Sequence, residues 1–510
     1  MSSAKDVGLF ATTKQNVPAI FKSKNIIEEY FLPDIGKEVK FDIPIKTAAF
    51  VTALSAILQE PMNLFFKGQS GVGKTYIVKK TLEYFPQENI RYLGGLSPTA
   101  LVHEHGILMN KQGNPIDLDS RPEKPDRKMF KTDEEFRKAK EDCKKKVKEW
   151  NTELATSYTL INLKNKLLFF LETPDQGAFD RLLPILSHDK EQIEFNFTDK
   201  TAKGKFRTAK VVIQGFPATI FLTVDKKLNR MEELATRSFT ATPESSEDKI
   251  EAANKVTTHR SNYPWEKTHE TKERKQLKEL LLSLKLTFLD EDFDIVIPFD
   301  NLAELYPHEM VRDMRDYDHF LQFIKTFTAL HIHQRAIIEV EGKKYAVASI
   351  FDVEIAFKIF GAIFETTRTS ADKALLDFYW EYVSTTEGCS IRQFVGFYNV
   401  LNKTKKGYNT IAQYLEKLEK KGYVDKQQDE NDRRRYTYNP LKKKKDELLY
   451  NPLEHENKVD LSTFLKTGYE LWLNDLLKGT LWYIMSNNAN ENELTLNKVS
   501  EAEAREKILC

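Results

Sequence analysis

Cysteine is scarce in this chain of 510 residues. The three cysteines, Cys143, Cys389 and Cys510, lie far apart in the sequence. That number and spacing argue against a disulfide framework and a cysteine-based zinc site. A protein without structural disulfides suits a reducing compartment, so we expect a cytoplasmic location.

Long apolar runs and a strong net charge are also lacking. No stretch approaches the roughly 18 apolar residues of a membrane-spanning helix, and the first residues do not read as a signal peptide. Lys and Arg number 77 against 76 Asp and Glu, for a net charge of +1. This balance argues against a globally basic nucleic-acid-binding protein, so any basic surface must be local. With 30% charged and 41% hydrophobic residues, the composition predicts a soluble protein without a membrane partner. The length predicts roughly two to four domains.

A glycine-rich segment near the N-terminus carries the clearest motif. In order, its residues are Gly68, Gln69, Ser70, Gly71, Val72, Gly73, Lys74 and Thr75. They fit G-x-x-x-x-G-K-[ST], the phosphate-binding P-loop, and apolar residues before and after it predict a strand and a helix. Backbone N–H groups of such a loop surround phosphate oxygens, Lys74 would reach the β- and γ-phosphates, and Thr75 would hold Mg²⁺. We therefore expect ATP and Mg²⁺ as ligands.

A second apolar run ends in an acid. Residues 167–171 predict a buried strand, and Glu172 follows it. In P-loop ATPases an Asp-Glu pair stands here, and this chain has Leu171 in the Asp position. Glu172 is the predicted general base that activates water. Asp175, three residues further on, is a candidate for the metal shell.

A β-hairpin is predicted over residues 191–214, since Ile193, Phe195 and Phe197 alternate with polar residues. Its tip carries four basic residues, Lys200, Lys203, Lys205 and Arg207. These residues predict contact with a phosphate backbone, and the alternative is an exposed turn that only aids solubility. The next strand leads to Thr223. Before the hairpin, a charged stretch at about 105–160 favours a solvated helix or a flexible insert over a binding element.

Residues 371–440 predict three helices followed by a two-stranded wing, the plan of a winged helix. The third helix would read a DNA groove through four polar residues, Asn409, Thr410, Gln413 and Lys417. The wing would meet phosphates through Arg433, Arg434 and Arg435. The alternative is a winged helix that packs against protein.

The order of these elements resembles an AAA+ ATPase, and within that group most of all the clade of the minichromosome maintenance (MCM) replicative helicases. The features shared are the P-loop, the insert beginning Gly95-Leu96-Ser97-Pro98-Thr99, the acid-ended strand and the basic hairpin before the fourth strand. The resemblance implies an α/β fold. It comprises a P-loop AAA+ core, with a parallel sheet between helices, a helical lid and a C-terminal winged-helix domain.

The resemblance also implies roles for single residues. Thr223 matches sensor 1, which orients the attacking water. Arg237 matches the arginine finger that reaches the ATP of a neighbouring subunit, with Arg230 as its rival. Arg315 matches the sensor-2 arginine, with Arg312 as the alternative. Lys203 and Lys205 match the hairpin tip that contacts DNA.

The sequence therefore predicts five segments. They are an N-terminal segment (1–40), the ATPase core (41–240) with its insert and hairpin, the lid (241–370), the winged helix (371–440) and a C-terminal helical tail (441–510).

The leading functional hypothesis is an ATP-driven motor on DNA. It would be a hexameric helicase or translocase of a replication system or mobile element, with a replication protein as a further partner. The first alternative is an initiator, helicase loader or transcription regulator that binds duplex DNA through the winged helix. A further alternative is a protein-remodelling or defence ATPase.

Overall fold

Helices and strands alternate through most of the chain. The computed structural model describes residues 19–68, 70–94, 106–172, 176–199, 207–223, 237–268, 270–290, 293–306, 312–369, 373–402, 405–428, 436–441, 460–477, 479–488 and 493–509. They divide into two units, one formed by the residues up to 92, 167–171 and those from 218 onward, the other by 93–166 and 172–217. Among the described residues, none of the helices has the length and apolar character needed to cross a membrane.

The helices of the described residues have the following bounds. They are α1 (Leu32–Glu38), α2 (Ile43–Ser55), α3 (Lys74–Leu82), α4 (Asp133–Ala155), α5 (Gln176–Leu186), α6 (Glu247–Asn262), α7 (Lys272–Asp290), α8 (Asp313–Leu330), α9 (Ile350–Thr369), α10 (Lys373–Phe378), α11 (Ile391–Leu401), α12 (Tyr408–Lys420), α13 (Leu461–Asp475) and α14 (Glu501–Leu509).

Within the described ranges, the strands form three larger sheets and one two-stranded sheet. They are β1 (Asn63–Lys67), β2 (Ile90–Leu93), β3 (Ile107–Met109), β4 (Tyr158–Asn162), β5 (Leu167–Phe170), β6 (Gln192–Asp199), β7 (Arg207–Gln214), β8 (Ala218–Thr223), β9 (Phe239–Ala241), β10 (Asp294–Val296), β11 (Ala336–Val340), β12 (Lys343–Val347), β13 (Val424–Gln428), β14 (Tyr436–Pro440), β15 (Leu481–Asn488) and β16 (Glu493–Val499).

The central sheet of the first unit has the strand order β2-β5-β8-β1-β9. Its pairs β5·β8, β8·β1 and β1·β9 are parallel. Both faces are buried, which is why these strands are almost wholly apolar. On one face Leu64 and Phe66 belong to the same apolar core as helix α2, and on the other Phe221 stacks between Phe65 and Phe170. The predicted α/β core, a parallel sheet flanked by helices, is confirmed.

A second sheet of this unit joins two distant parts of the chain, in the order β10-β12-β11-β15-β16. Strands β10 to β12 come from the predicted lid, which is therefore not purely helical. Strand β15 pairs antiparallel with β11, with Ala336 opposite Ile484. The prediction of a helical tail over 441–510 is wrong for 481–488 and 493–499, where β15 and β16 pair antiparallel. The reason is non-local, because β15 gains its backbone partners from a strand about 145 positions earlier in the chain.

Residues 373–440 have a hydrophobic core of their own. Helix α10 continues into a π-helical turn (Tyr379–Val383), α11 and α12 follow, and β13 pairs antiparallel with β14. Residue Cys389, just before α11, makes an isolated antiparallel bridge to Tyr438. Ser390 caps α11 through a capping box with Gln393, as its position before the helix predicts.

The second unit is built on a four-stranded sheet in the order β3-β4-β7-β6. The predicted hairpin is present as β6 and β7, and β7 also pairs in parallel with β4 of the charged insert. Helix α4 of the insert begins with a capping box between Thr132 and Glu135. Most of its side chains are exposed, and Cys143, Val147 and Trp150 mark its half-buried side. The insert and the hairpin thus share one sheet, which the sequence pattern did not predict.

Candidate nucleotide-binding site

The P-loop connects β1 directly to α3. Gly68, Gly71 and Gly73 have φ angles of 144°, 89° and 89°, a region that residues with a Cβ atom rarely adopt. A Cβ on Gly71 or Gly73 would meet no atom within 4 Å. These two glycines are therefore needed for the backbone conformation and not for space. Gln69 lies outside the described residues.

Lys74 and Thr75 begin helix α3. The Lys74 ammonium donates a hydrogen bond to the carbonyl oxygen of Gly68, so it lies across the start of the loop. The Thr75 side chain is exposed in the first helical turn. The positive end of the α3 dipole adds to the Lys74 charge at this point. The arrangement suits an anion with several oxygens.

Three parallel strands end beside the P-loop. Thr223, the last residue of β8, pairs in register with Lys67, the last residue of β1, and it is buried. On the other side of β1, Ala241 of β9 pairs with Phe66, and Thr242 follows close to Gly68. Ligands of open parallel sheets bind at the carboxyl ends of the strands. The structure therefore brings Thr223 and the P-loop together at one sheet edge.

The arginines that the sequence singles out have different surroundings. Arg312 lies just before α8. Its guanidinium donates to Asp316 of that helix at 3.0 Å and to the carbonyl oxygen of Ser238, just before β9, at 3.2 Å. Arg312 thus ties α8 to the residue that follows Arg237. Arg237 itself is partly buried, and Arg315 is exposed on α8. Arg230 lies outside the described residues.

Of the two acidic candidates, only Glu172 is described, and it follows the end of β5. Glu172 is exposed, two residues after Phe170. Asp175 is outside the described residues. Within the described ranges, no group of three or more His, Cys, Asp and Glu residues has the arrangement of a metal site. A magnesium ion held by Thr75 and phosphate oxygens needs no such cluster.

A cleft of about 1310 Å³ opens along α3, and its walls include Phe41, Tyr76 and Arg260. Tyr76 directly follows Thr75, and the Arg260 guanidinium lies 5.0 Å from the centre of its ring. The sequence reading missed this cleft, because its walls come from α1, α3, α6 and α7.

The floor of the cleft holds a buried ionic network. Arg274 of α7 donates to Asp34 at 2.9 Å and to Glu38 at 3.0 Å, and Tyr84 donates to Asp34 as well. Burial acts to raise the pKa of Asp34, but the hydrogen bonds from Tyr84, Thr271 and Arg274 outweigh it and lower the pKa. The network joins Tyr84, two residues after the end of α3, to α1 and α7.

The third helix of the 373–440 module presents a polar face. Asn409, Thr410, Gln413 and Lys417 are all exposed on α12. The opposite face is buried in the module core through Ile411, Leu415 and Leu418. Arg433, Arg434 and Arg435 lie outside the described residues, as do Lys200, Lys203 and Lys205 of the other basic cluster. Arg207 is the first residue of β7, and only its backbone is described.

The turn between α11 and α12 contains a contact that the sequence reading missed. The Asn399 side chain accepts from the Lys406 N–H at 2.8 Å and donates to the Lys406 carbonyl at 3.1 Å. The Lys406 ammonium lies 4.3 Å and 4.7 Å from the ring centres of Tyr398 and Tyr414. Burial acts to lower the pKa of Lys406, but these two tyrosines outweigh it and raise the pKa. A lysine between two aromatic rings stabilises the angle between the helices.

No protein-family model matches the chain, and no curated protein matches it. The functional argument therefore rests on the site itself.

Proposed function

We propose that the chain is a P-loop ATPase of the AAA+ type that acts on DNA. The observation that carries this proposal is the glycine loop between β1 and α3, with Lys74 and Thr75 at the start of the helix. The proposal is also supported by Thr223, which ends β8 in register with Lys67, the residue just before the P-loop. The cleft beside Tyr76 offers room for the nucleoside part of ATP.

Each candidate residue has a role in this proposal. Lys74 neutralises phosphate charge, and Thr75 holds Mg²⁺ together with phosphate oxygens, with Asp175 as a further candidate ligand. The metal supplies charge neutralisation on the phosphates when it is bound. Glu172 activates water, and Arg315 acts on the γ-phosphate.

Arg237 is proposed to act on the ATP of a neighbouring copy, in a hexameric ring. An arginine finger of this kind contributes roughly 10³–10⁵ in rate. This part of the proposal has a direct test by subunit mixing. Lys74→Ala and Arg237→Ala chains are each expected to be inactive, and an equimolar mixture is expected to regain part of the activity. If the ATPase activity of the mixture is as low as that of either variant alone, the site is not shared between copies.

The DNA part of the proposal rests on the second unit. The sheet β3-β4-β7-β6 carries the basic hairpin tip, and its pairing with β4 supports β7 on its inner side. An isolated two-stranded hairpin is only marginally stable, so the pairing with β4 stabilises β6 and β7. We propose that Lys203 and Lys205 contact a phosphate backbone and couple it to hydrolysis.

A switch that binds duplex DNA is the second candidate function. The exposed polar face of α12 favours it, because the recognition helix of a winged helix presents such a face to the major groove. In this reading ATP changes the assembly state, and the protein does not move along DNA.

The test is steady-state ATPase activity with and without single-stranded and duplex DNA. Lys74→Ala is expected to abolish turnover. The double change Lys203→Ala with Lys205→Ala is expected to remove stimulation by DNA and leave basal turnover. Lys144→Ala with Lys146→Ala, on the exposed side of α4, is the charge-matched control and is expected to change neither.

Three outcomes separate the readings. DNA stimulation that depends on the hairpin, followed by strand displacement on a forked substrate, supports the motor. Duplex binding without displacement supports the switch. ATPase activity that ignores DNA and both double changes contradicts the proposal of a DNA-acting ATPase.

A further inference from the structure

Lys249 of helix α6 contacts the P-loop from outside the motif. Its ammonium donates to the carbonyl oxygen of Val72 at 3.2 Å and to that of Glu244 at 2.8 Å. It also forms an ion pair with Asp42. The Lys249 side chain is 13% exposed and that of Asp42 is 1% exposed. One buried ammonium therefore joins the P-loop to the chain before α2 and to the chain after β9.

The position of Lys249 is itself constrained. Asp42 adopts a left-handed conformation, with φ 53° and ψ 37°, and its other carboxylate oxygen accepts the N–H of Glu244 at 3.0 Å. Ser246 caps α6 by accepting the N–H of Lys249 at 3.3 Å. The side chain is thus anchored at its backbone and at its charged end. Such an ammonium has little freedom to leave the Val72 carbonyl.

The Val72 carbonyl matters because of the group on the other end of its peptide bond. The carbonyl of Val72 and the N–H of Gly73 belong to one planar trans peptide unit, in which they point in opposite directions. The positive φ of Gly73 lets the chain enter α3 from this peptide. A carbonyl held toward Lys249 therefore turns the Gly73 N–H to the opposite side, away from Lys249. Backbone N–H groups of such a loop bind phosphate when they point into it.

We propose that Lys249 is a positioning residue for phosphate binding, which acts through the Val72 carbonyl on the orientation of the Gly73 N–H. Asp42 compensates the charge of Lys249 and fixes its place. The inference rests on the proposed nucleotide binding, and it extends the site to a residue 174 positions after Thr75. The P-loop conformation then depends on α6, a helix outside the motif.

The test is calorimetric binding of pyrophosphate and of Mg-ATP to the full chain. Lys249→Met keeps the length of the side chain and removes its hydrogen bonds. We expect it to weaken both ligands about tenfold, the size of one charge-assisted hydrogen bond. Lys249→Arg keeps a donor and a positive charge, and it is expected to stay within about threefold of the wild type. In steady-state kinetics the KM for ATP rises and kcat changes less.

Lys358→Met is the matched control, since Lys358 is also ion-paired, with Glu28 at 2.6 Å, and lies far from the P-loop in sequence. It is expected to bind both ligands as the wild type does. Asp42→Asn keeps Lys249 and removes its counter-charge, and an intermediate loss of affinity is expected. If Lys249→Met does not fold, the ligand affinities of Lys249→Arg and Asp42→Asn are compared with those of the wild type instead.

Wild-type affinity for pyrophosphate in a folded Lys249→Met chain overturns the positioning role and leaves the proposed nucleotide binding intact. Equal losses in Lys249→Met and Lys358→Met also overturn it, because they show a general loss of stability. A wild-type chain that binds neither ligand, like its Lys74→Ala variant, overturns the proposed function and this inference with it.

Discussion

Lys67 and Thr223 face each other as the last register pair of the parallel strands β1 and β8. Lys67 is followed at once by Gly68 of the P-loop, and both members of the pair are buried. The strand that ends in Thr223 is therefore the immediate neighbour of the strand that carries the P-loop. The acid-ended strand β5 lies one position further out.

Thr223→Val tests whether this threonine orients the attacking water. The change keeps the shape of the side chain and removes its hydroxyl. We expect kcat for ATP hydrolysis to fall about 10²-fold, the cost of misplacing a reactant by about 1 Å, with KM nearly unchanged. Thr223→Ser, which retains the hydroxyl, is expected to restore most of the rate. A fully active valine variant contradicts the assignment.

His331 predicts how stability depends on pH. Burial, and next the charge of Arg335, lower its pKa from 6.5 to about 4. Its Nε2 accepts the Ile26 N–H at 3.3 Å, and Nδ1 lies 2.9 Å from the Phe327 carbonyl, which suits the neutral ring. The unfolded chain thus takes up a proton at higher pH than the folded one, so stability is lost as pH falls from about 6.5 toward 4.

Urea unfolding at pH 7 and pH 5 measures this effect. The His331 contribution to the loss of unfolding free energy between these two conditions is expected to be about 2 kcal/mol. His331→Gln keeps an acceptor for the Ile26 N–H and does not titrate. Between pH 7 and pH 5 its free energy of unfolding is therefore expected to fall by about 2 kcal/mol less than that of the wild type. An identical pH dependence in both proteins means that His331 does not titrate as its burial implies.

Gly468 predicts a site where the smallest substitution is destabilising. A Cβ atom there would lie 2.6 Å from Cγ of Asn301, and the Asn301 amide is held by the Phe464 carbonyl at 2.7 Å. Gly468→Ala is expected to lower the free energy of unfolding by about 1–3 kcal/mol, the usual cost of overpacking. The unfolding of this region can be followed by the fluorescence of nearby Trp472 and Trp482.

Gly361 of α9 provides the control for that experiment. A Cβ atom at Gly361 would meet nothing within 4 Å. Gly361→Ala is expected to leave stability unchanged or raise it by up to about 1 kcal/mol, since alanine favours the helix. Equal effects of the two alanines would show that packing against Asn301 is not the cause.

The polar face of α12 predicts two kinds of DNA contact. Lys417→Ala, which removes a proposed phosphate contact, is expected to weaken duplex binding for all sequences. It is also expected to reduce the slope of log binding constant against log salt concentration by about 1. Gln413→Ala, which removes a proposed base contact, is expected to cost about 1–3 kcal/mol on the preferred sequence only. Filter binding over a range of salt concentrations measures both.

Lys420→Ala is the control on the same helix, since Lys420 is exposed and paired with Glu416 at 2.9 Å. It is expected to bind DNA as the wild type does. If all three variants bind DNA as the wild type does, α12 is not the DNA-binding element. That result would favour a protein partner for the 373–440 module.

Much of the fold could be read from local patterns. The P-loop is a contiguous motif, and the glycines at 68, 71 and 73 have the positive φ angles that such a loop needs. The strands over 63–67 and 218–223 are buried throughout and have apolar centres, 64–66 and 220–222, because both faces of their sheet are covered. Ser390 and Gln393, which lie within four consecutive residues, form the capping box at the start of α11. In each case the residues that determine the structure are neighbours in the chain.

Contacts between distant segments could not be read in this way. The prediction of helix is wrong for β15 and β16, because the place of β15 in the sheet depends on pairing with β11. The pairing of β4 with β7 and the reach of Lys249 to Val72 have no local signal either. A backbone hydrogen bond or a buried ion pair between distant residues is set by which surfaces pack together. The sequence by itself therefore determined the glycine-rich P-loop motif and the strands next to it, and only the tertiary structure decided what surrounds that motif.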